Sequence, residues 1–403
     1  MTPFLQFTLS LVIIITAAKL AGYFSYRIGQ PSVLGELLVG ILLGPSVLNI
    51  FHGSYFTDTH LEETITHLAE IGVLLLMFLA GLDLHLDDLA RSSKVSAGAG
   101  ILGVIFPLAL GTGVGLLFNF DLHSSFFIGL VLAATSVSIS AQTLMELKVL
   151  RSRVGVSMLG AAVFDDILVV LGLSVFVALI QSGGDGGLIV VLMIILRMVL
   201  YLGAAVLVGM WLLPKLSYWI ENLPISQGLI AFTFVVALLY AWTAESLGSM
   251  AAITGAFLAG LLFGRSRVKE KIESGISTIA YSVFVPIFFV NVGLSADARQ
   301  LTIQTLWLFL AMLLVAIIGK VLGSGIGAQL GGFTRREALQ IGVGMMSRGE
   351  VGLIVASVGV LEGLIEQEAF AVIVGVVIIT TLLTPPTLRL LFSQEGKLRR
   401  GEF

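Results

Sequence analysis

Asp165 and Asp166 are neighbouring carboxylates inside an apolar stretch that runs from Val154 to Ile180. At about 1.5 Å of rise per residue the pair lies roughly 15 Å below a membrane surface, near the midplane. A charge at that depth costs about 3 kcal/mol or more, so it marks an ion or proton pathway. Adjacent side chains on a helix point about 100° apart, so the two acids cannot share one job. A third charge, Lys320, sits in the equally apolar stretch Ala316-Ile-Ile-Gly-Lys-Val-Leu-Gly-Ser-Gly325. An ammonium at that depth needs a partner, and the aspartate pair holds the nearest free opposite charge. Lys320 is therefore expected to pair with Asp165, which leaves Asp166 to face a cavity and bind the ion.

Three further polar places interrupt the apolar background: Thr135-Ser136-Val-Ser138-Ile-Ser140, Ser347-Arg348-Gly349-Glu350, and Arg197. Hydroxyl and glycine clusters of this kind favour a broken helix, with half-helix ends facing each other at the midplane. Freed N–H groups make one end positive and freed carbonyls make the other negative, and Arg348 and Glu350 would neutralise them. The competing reading of the first cluster is an unbroken helix whose hydroxyls bond back to carbonyls one turn earlier. Arg197 is expected to serve packing or lipid contact.

These residues need a membrane bundle to hold them. The chain is 57% hydrophobic and only 12% charged, with a mean hydropathy of +1.05, which excludes a soluble protein of 403 residues. The net charge of -3 carries no nucleic-acid signal, and the absence of Cys excludes disulfides and thiolate metal sites. The five His fall in loops or at helix ends without paired metal spacing, so no cofactor is expected beyond the transported ions. The first apolar run has no basic leader or cleavage motif and reads as a retained helix. Gly323-Ser-Gly325-Ile-Gly327 follows no strand, and close helix packing explains it better than a dinucleotide loop.

Apolar runs of spanning length fall near 3–26, 32–50, 67–83, 95–118, 125–146, 153–181, 188–213, 226–246, 249–264, 272–294, 301–331, 335–360 and 367–392. The expected fold is thus an all-α polytopic membrane protein with 13 transmembrane helices, broken in the fifth and twelfth. Of the 22 Lys and Arg, seventeen follow odd-numbered runs or lie in the tail, from Arg27 to Arg400. That asymmetry places the N-terminus outside and the C-terminus in the cytoplasm. Gly35, Gly40 and Gly44 recur as Gly255, Gly260 and Gly264, 220 positions on. Gly81-Leu82 similarly matches Gly293-Leu294, and Thr135-Ser136 matches Ser347-Arg348, each 212 positions on. Runs one to six would then repeat as eight to thirteen in opposite orientation, joined by the seventh, which is a transporter architecture.

Two buried carboxylates could also serve an intramembrane aspartyl protease, but there the acids come from different helices, and no Gly-x-Gly-Asp occurs. A passive K⁺ channel needs a continuous lined pore, whereas inverted repeats with paired breaks favour alternating access.

The segments Gln30-Pro-Ser-Val-Leu-Gly-Glu-Leu-Leu-Val-Gly-Ile-Leu-Leu-Gly-Pro45, Leu68-Ala-Glu-Ile-Gly-Val-Leu-Leu-Leu-Met-Phe-Leu-Ala-Gly-Leu82, Gly160-Ala-Ala-Val-Phe-Asp-Asp166, Gly319-Lys-Val-Leu-Gly323 and Gly342-Val-Gly-Met-Met-Ser-Arg-Gly-Glu-Val-Gly-Leu-Ile-Val-Ala356 resemble the monovalent cation:proton antiporter-2 family, close to its bacterial NapA type. The resemblance runs over essentially the whole chain, in order. It implies an electrogenic exchange of Na⁺ or Li⁺, with K⁺ as an alternative, against protons. Asp165 and Asp166 match the ion-binding pair, with Asp166 as principal ligand, and Lys320 matches the lysine paired with the first aspartate. Thr135, Ser136 and Ser138 match one unwound crossover and Ser347, Arg348 and Glu350 the other, with Ser347 standing where relatives often carry Pro. It also implies a homodimer in a lipid bilayer, here a bacterial inner membrane, working as an elevator. Dimerisation parts would be 1–93 and 223–297, core parts 94–184 and 298–403, and the linker 185–222. No nucleotide-binding domain or nucleic-acid partner is expected.

Overall fold

The computed structural model describes residues 1–52, 55–84, 92–181, 187–295, 299, 305–361 and 364–400. Among the described residues the regular elements are helical and no strand occurs. In chain order the α-helices are α1 (Pro3–Arg27), α2 (Ser32–Leu43), α3 (Leu61–Asp83), α4 (Ser93–Leu117), α5 (Leu122–Ala133), α6 (Val137–Glu146), α7 (Arg153–Gln181), α8 (Gly187–Glu221), α9 (Gly228–Ser246), α10 (Ala252–Phe263), α11 (Lys269–Ile279), α12 (Val285–Leu294), α13 (Leu306–Leu330), α14 (Arg335–Gly344), α15 (Glu350–Leu361) and α16 (Gln367–Arg400).

Ten helical segments among the described residues are long and apolar enough to cross a membrane, so this is an integral membrane protein. Thirteen apolar runs reduce to ten by length for a physical reason. The second and ninth fold as α2 and α10, of 12 residues each. Such helices rise only about 18 Å, short of a hydrocarbon core of about 30 Å. The twelfth run is interrupted, and neither α14 nor α15 reaches spanning length alone.

Two compact units divide the chain, one of residues 1–70, 94–165 and 286–403 and the other of residues 71–93 and 166–285. In the first, Gly35 of α2 lies on the Ala21 carbonyl of α1, and Gly40 of α2 on the Val290 carbonyl of α12. Gly293 of α12 in turn lies on the Leu37 carbonyl, and at each of these positions a Cβ would collide with backbone. Lipid supplies no hydrophobic force between helices, so close backbone approach at small residues is what binds them. The outer ends of both interrupted runs are capped in the same manner. Asp121 accepts from the Ser124 N–H at 2.8 Å to start α5, and Thr334 and Glu337 form a reciprocal capping box to start α14. The Ser124 N–H and hydroxyl hold the exposed Asp121 carboxyl below the usual range.

In the second unit, Gly255 of α10 lies on the Tyr240 carbonyl of α9, Gly260 on the Phe78 carbonyl of α3, and Gly81 of α3 on the Phe257 carbonyl. The rings of Phe78 and Phe263 meet edge-on at 5.8 Å beside this seam. Gly260→Ala forces α3 and α10 apart, at a cost of about 1–3 kcal/mol. Thermal unfolding in detergent should show a clearly lowered midpoint. An unchanged midpoint would mean that the seam carries no stability.

Candidate cation and proton site

In the first unit α13 is drawn flat against α4 by glycines that flank Lys320. Gly319 packs on Pro107 with 3.0 Å left for a Cβ, Gly323 lies on the Leu102 carbonyl, and Gly327 on the Gly98 carbonyl. Lys320 is thereby pressed into the interior, where its Nζ donates to Oδ1 of Asp165 on α7. Neither side chain is exposed at all. The second carboxylate oxygen of Asp165, Oδ2, is buried without a hydrogen-bond partner among the described residues.

The same unit holds two helix breaks. α5 ends at Ala133 and α6 starts at Val137, with Ala134 and Ser136 in extended conformation between them. α14 ends at Gly344 and α15 starts at Glu350. The two gaps are bonded to each other. Ser136 N–H donates to the Ser347 carbonyl at 2.9 Å, and the Ser347 hydroxyl donates to the Ser136 carbonyl at 2.6 Å. The Ser140 hydroxyl donates to the Gly344 carbonyl, and Ser136 and Ser138 share a hydroxyl contact at 3.0 Å. Backbone groups freed by unwinding are thus satisfied from the opposite gap, as a membrane interior demands. Gly349 faces Ser136 so closely that a Cβ would lie 2.5 Å from that of the serine. The Thr135 hydroxyl is buried without a partner among the described residues.

Arg348 is 1% exposed and works as a fork. Its Nη1 donates to the Ala134 carbonyl at the end of α5 at 3.1 Å, and its Nη2 to the Ala316 carbonyl of α13 at 2.9 Å. A guanidinium at a helix C-terminus offsets the freed carbonyls and the dipole together. Its own backbone is tied to α16, through Thr380 to its N–H at 3.2 Å and Thr381 to its carbonyl at 2.6 Å. Arg348→Lys keeps the charge but reaches only one carbonyl, so it should destabilise by about 2 kcal/mol. Thermal unfolding of the purified protein measures this, and a lysine variant as stable as the parent would reject the fork.

In the second unit Asp166, 6% exposed, accepts from the Thr254 hydroxyl of α10, with 3.4 Å from Oγ1 to Oδ2. No group of three or more His, Cys, Asp or Glu able to hold a metal occurs among the described residues.

The description "Sodium/hydrogen exchanger, transmembrane" belongs to the family model that matches residues 12–394. The chain belongs to this family. It is a transporter family, which sets the protease reading aside. Among relatives of this exchanger, the Na⁺/H⁺-K⁺ antiporter GerN of Bacillus cereus is 39% identical over 98% of this chain and 99% of its own. The Na⁺/H⁺ antiporter of Enterococcus hirae is 36% identical over 96% of this chain and 98% of its own. The solved structure of the sodium proton antiporter MjNhaP1 from Methanocaldococcus jannaschii shares the fold, with a TM-score of 0.69 over 97% of this chain and 98% of that one at 17% identity.

Other charged residues of the exchanger have structural neighbours of their own. Glu36 is only 7% exposed and packs against Gly22. Arg197 caps α9: Nε donates to the Leu247 carbonyl at 2.6 Å and Nη2 to that of Ser246 at 2.7 Å. Glu350 opens α15 by its backbone, and its side chain lies outside the described residues. Three hydroxyls that matter escaped the sequence reading, those of Thr254, Thr380 and Thr381. The Thr380-Thr381-Leu-Leu-Thr384 cluster in an apolar run was the available signal for two of them.

Proposed function

We propose that the protein exchanges Na⁺, or Li⁺, for protons by alternating access, with Asp166 as cation ligand and the Asp165–Lys320 pair coupling protons to the ion. The observation that carries this reading is the sealed Asp165–Lys320 ion pair one residue from Asp166. A carboxylate can hold a hard cation or a proton, not both, so the two ions compete for one centre. An empty anionic site is costly to carry through a membrane interior, so only the loaded site crosses. A cation that binds Asp166 displaces the proton of that carboxylate, and Lys320, released from Asp165 as the ion enters, gives up a second proton to water. Two protons per cation, and hence an electrogenic exchange, follow from that linkage. The names of the relatives favour Na⁺ over a dedicated K⁺/H⁺ exchange, although GerN's carries K⁺ as well.

Thirteen crossings in two inverted six-helix repeats fit this function, with α2 and α10 as short helices enclosed by protein and the α14–α15 run as a broken one. Support comes from paired close approaches: Gly35 on Ala21 against Gly255 on Tyr240, and Gly40 with Gly293 against Gly260 with Gly81. Each pair joins equivalent runs of the two proposed repeats. In this scheme 1–93 and 223–297 dimerise with a second copy, 94–184 and 298–403 carry the ion, and 185–222 links them. These boundaries follow the repeat rather than the two compact units. The charge asymmetry supports a C-terminus on the cytoplasmic side, and the bacterial relatives support a bacterial plasma membrane.

The test is reconstitution of the full chain into vesicles holding a pH dye. Added Na⁺ or Li⁺ should dissipate or create a pH gradient, and an imposed membrane potential should change the rate. A protein that moves Na⁺ without moving protons would overturn the proposal.

A further inference from the structure

Asp166 has a neighbour that the motif does not contain. Thr254 stands in the first turn of α10, is 6% exposed, and sets its Oγ1 3.4 Å from Oδ2 of Asp166. That distance is long for a hydroxyl–carboxylate hydrogen bond, which favours about 2.5–2.7 Å. It is the right length for something else. Na⁺ is close to Ca²⁺ in radius, and oxygen ligands of Ca²⁺ lie at about 2.3–2.6 Å. Two such ligands at right angles around the ion are about 3.3–3.7 Å apart. The Thr254–Asp166 spacing therefore matches one edge of a small cation's coordination shell, and it is too short for the same edge around the larger K⁺.

We propose that Thr254, on the dimerising part, is a direct ligand of the cation held by Asp166 in this conformation, and that its spacing to Asp166 favours Na⁺ over K⁺. The inference rests on the antiport reading given above. The hydroxyl is suited to the task because it carries two lone pairs and one rotatable proton. When the site is empty the proton points to Asp166. When the ion arrives, the proton turns to a backbone carbonyl just ahead of α10, such as that of Ala251, and a lone pair faces the ion. Two further features support a built position. Gly255, the next residue, lies on the Tyr240 carbonyl, which fixes the rotation of α10 and so the direction of Thr254. Ala251 at the N-cap supplies no side-chain oxygen of its own, so Thr254 is the hydroxyl available in that turn. The N–H dipoles at this end of α10 oppose a cation. A carrier gains from that opposition, because it keeps the ion loosely enough held to be released.

The experiment uses the full chain in vesicles, with Thr254→Val, Thr254→Ala and Thr254→Ser beside the parent. Loss of one neutral oxygen ligand should raise the KM for Na⁺ about tenfold in the Val and Ala variants, with kcat within about twofold of the parent. The KM for K⁺ should move less than that for Na⁺, and the Ser variant should resemble the parent. Thermal stabilisation of the detergent-solubilised protein by NaCl gives a second readout that needs no turnover, and it should shrink in Val and Ala but persist in Ser. The inference is overturned if the parent exchanges Na⁺ for protons while the Val and Ala variants keep its KM and its NaCl stabilisation. It is also overturned if Ser is as impaired as Ala, which would mark a packing role. Failure of the parent itself to exchange Na⁺ for protons would instead sink the antiport reading.

Discussion

Asp166→Asn should abolish sodium-driven pH change in vesicles while leaving the protein as stable as the parent. The amide has the shape of the carboxylate and can still accept from Thr254 through its oxygen. What disappears is the charge. Exchanging a charged ligand of a cation for a neutral one in a dry site forfeits about 3 kcal/mol, or roughly a hundredfold in affinity. The exchange cycle also loses its proton carrier, because an amide does not titrate, so the rate should fall below detection at any accessible Na⁺ concentration. The parallel Asp165→Asn variant separates the two acids. It strips Lys320 of its partner inside the first unit, so it should lower the melting temperature as well as the exchange. Asp166→Asn acting only on exchange and Asp165→Asn acting on both would establish two jobs for two neighbouring residues. Retained exchange in the Asp166 variant would refute its role as cation ligand.

Much of this arrangement is legible in the residues, and the reason is energetic. A charge in lipid is so expensive that every one demands an explanation, which makes Asp165, Asp166, Lys320 and Arg348 stand out from a background that is 57% hydrophobic. The same logic marks the two breaks, since Ser136-Val-Ser138 and Ser347-Arg348-Gly349 can satisfy an unwound backbone where leucines cannot. Counting charges also proposes the Lys320–Asp165 pair, which the structure contains. Legibility fails where the partner is cheap or invisible. A threonine in an apolar helix ordinarily bonds back to its own backbone, as Thr233 does to the Leu229 carbonyl at 2.8 Å, so nothing distinguishes Thr254 from it by type. The carbonyls of Ala134 and Ala316 that receive Arg348 belong to residues whose side chains carry no information about it. Helix ends are a third case. α2 stops after 12 residues at Gly44-Pro45, yet the stretch that follows still carries Val47, Leu48 and Ile50, so hydropathy alone runs past its end.

The second large effect concerns Lys320 and should appear as a coupling between two substitutions. Lys320→Met keeps the length of the side chain and removes its charge, leaving Asp165 in a site from which water is excluded. Breaking a buried pair by deleting one partner costs about 3–5 kcal/mol. Removing both charges is a different matter. With Asp165→Asn added there is no longer an unpaired ion to bury, and the double variant should recover about 2 kcal/mol relative to the sum of the single losses. Unfolding midpoints of the four proteins in one detergent measure this cycle. The double variant should also keep NaCl-dependent stabilisation, since Asp166 and Thr254 are untouched, while exchange is lost. That outcome separates holding the cation from coupling it to protons. Additive losses would show that Lys320 and Asp165 act independently, and the coupling assigned to their ion pair would fall with them.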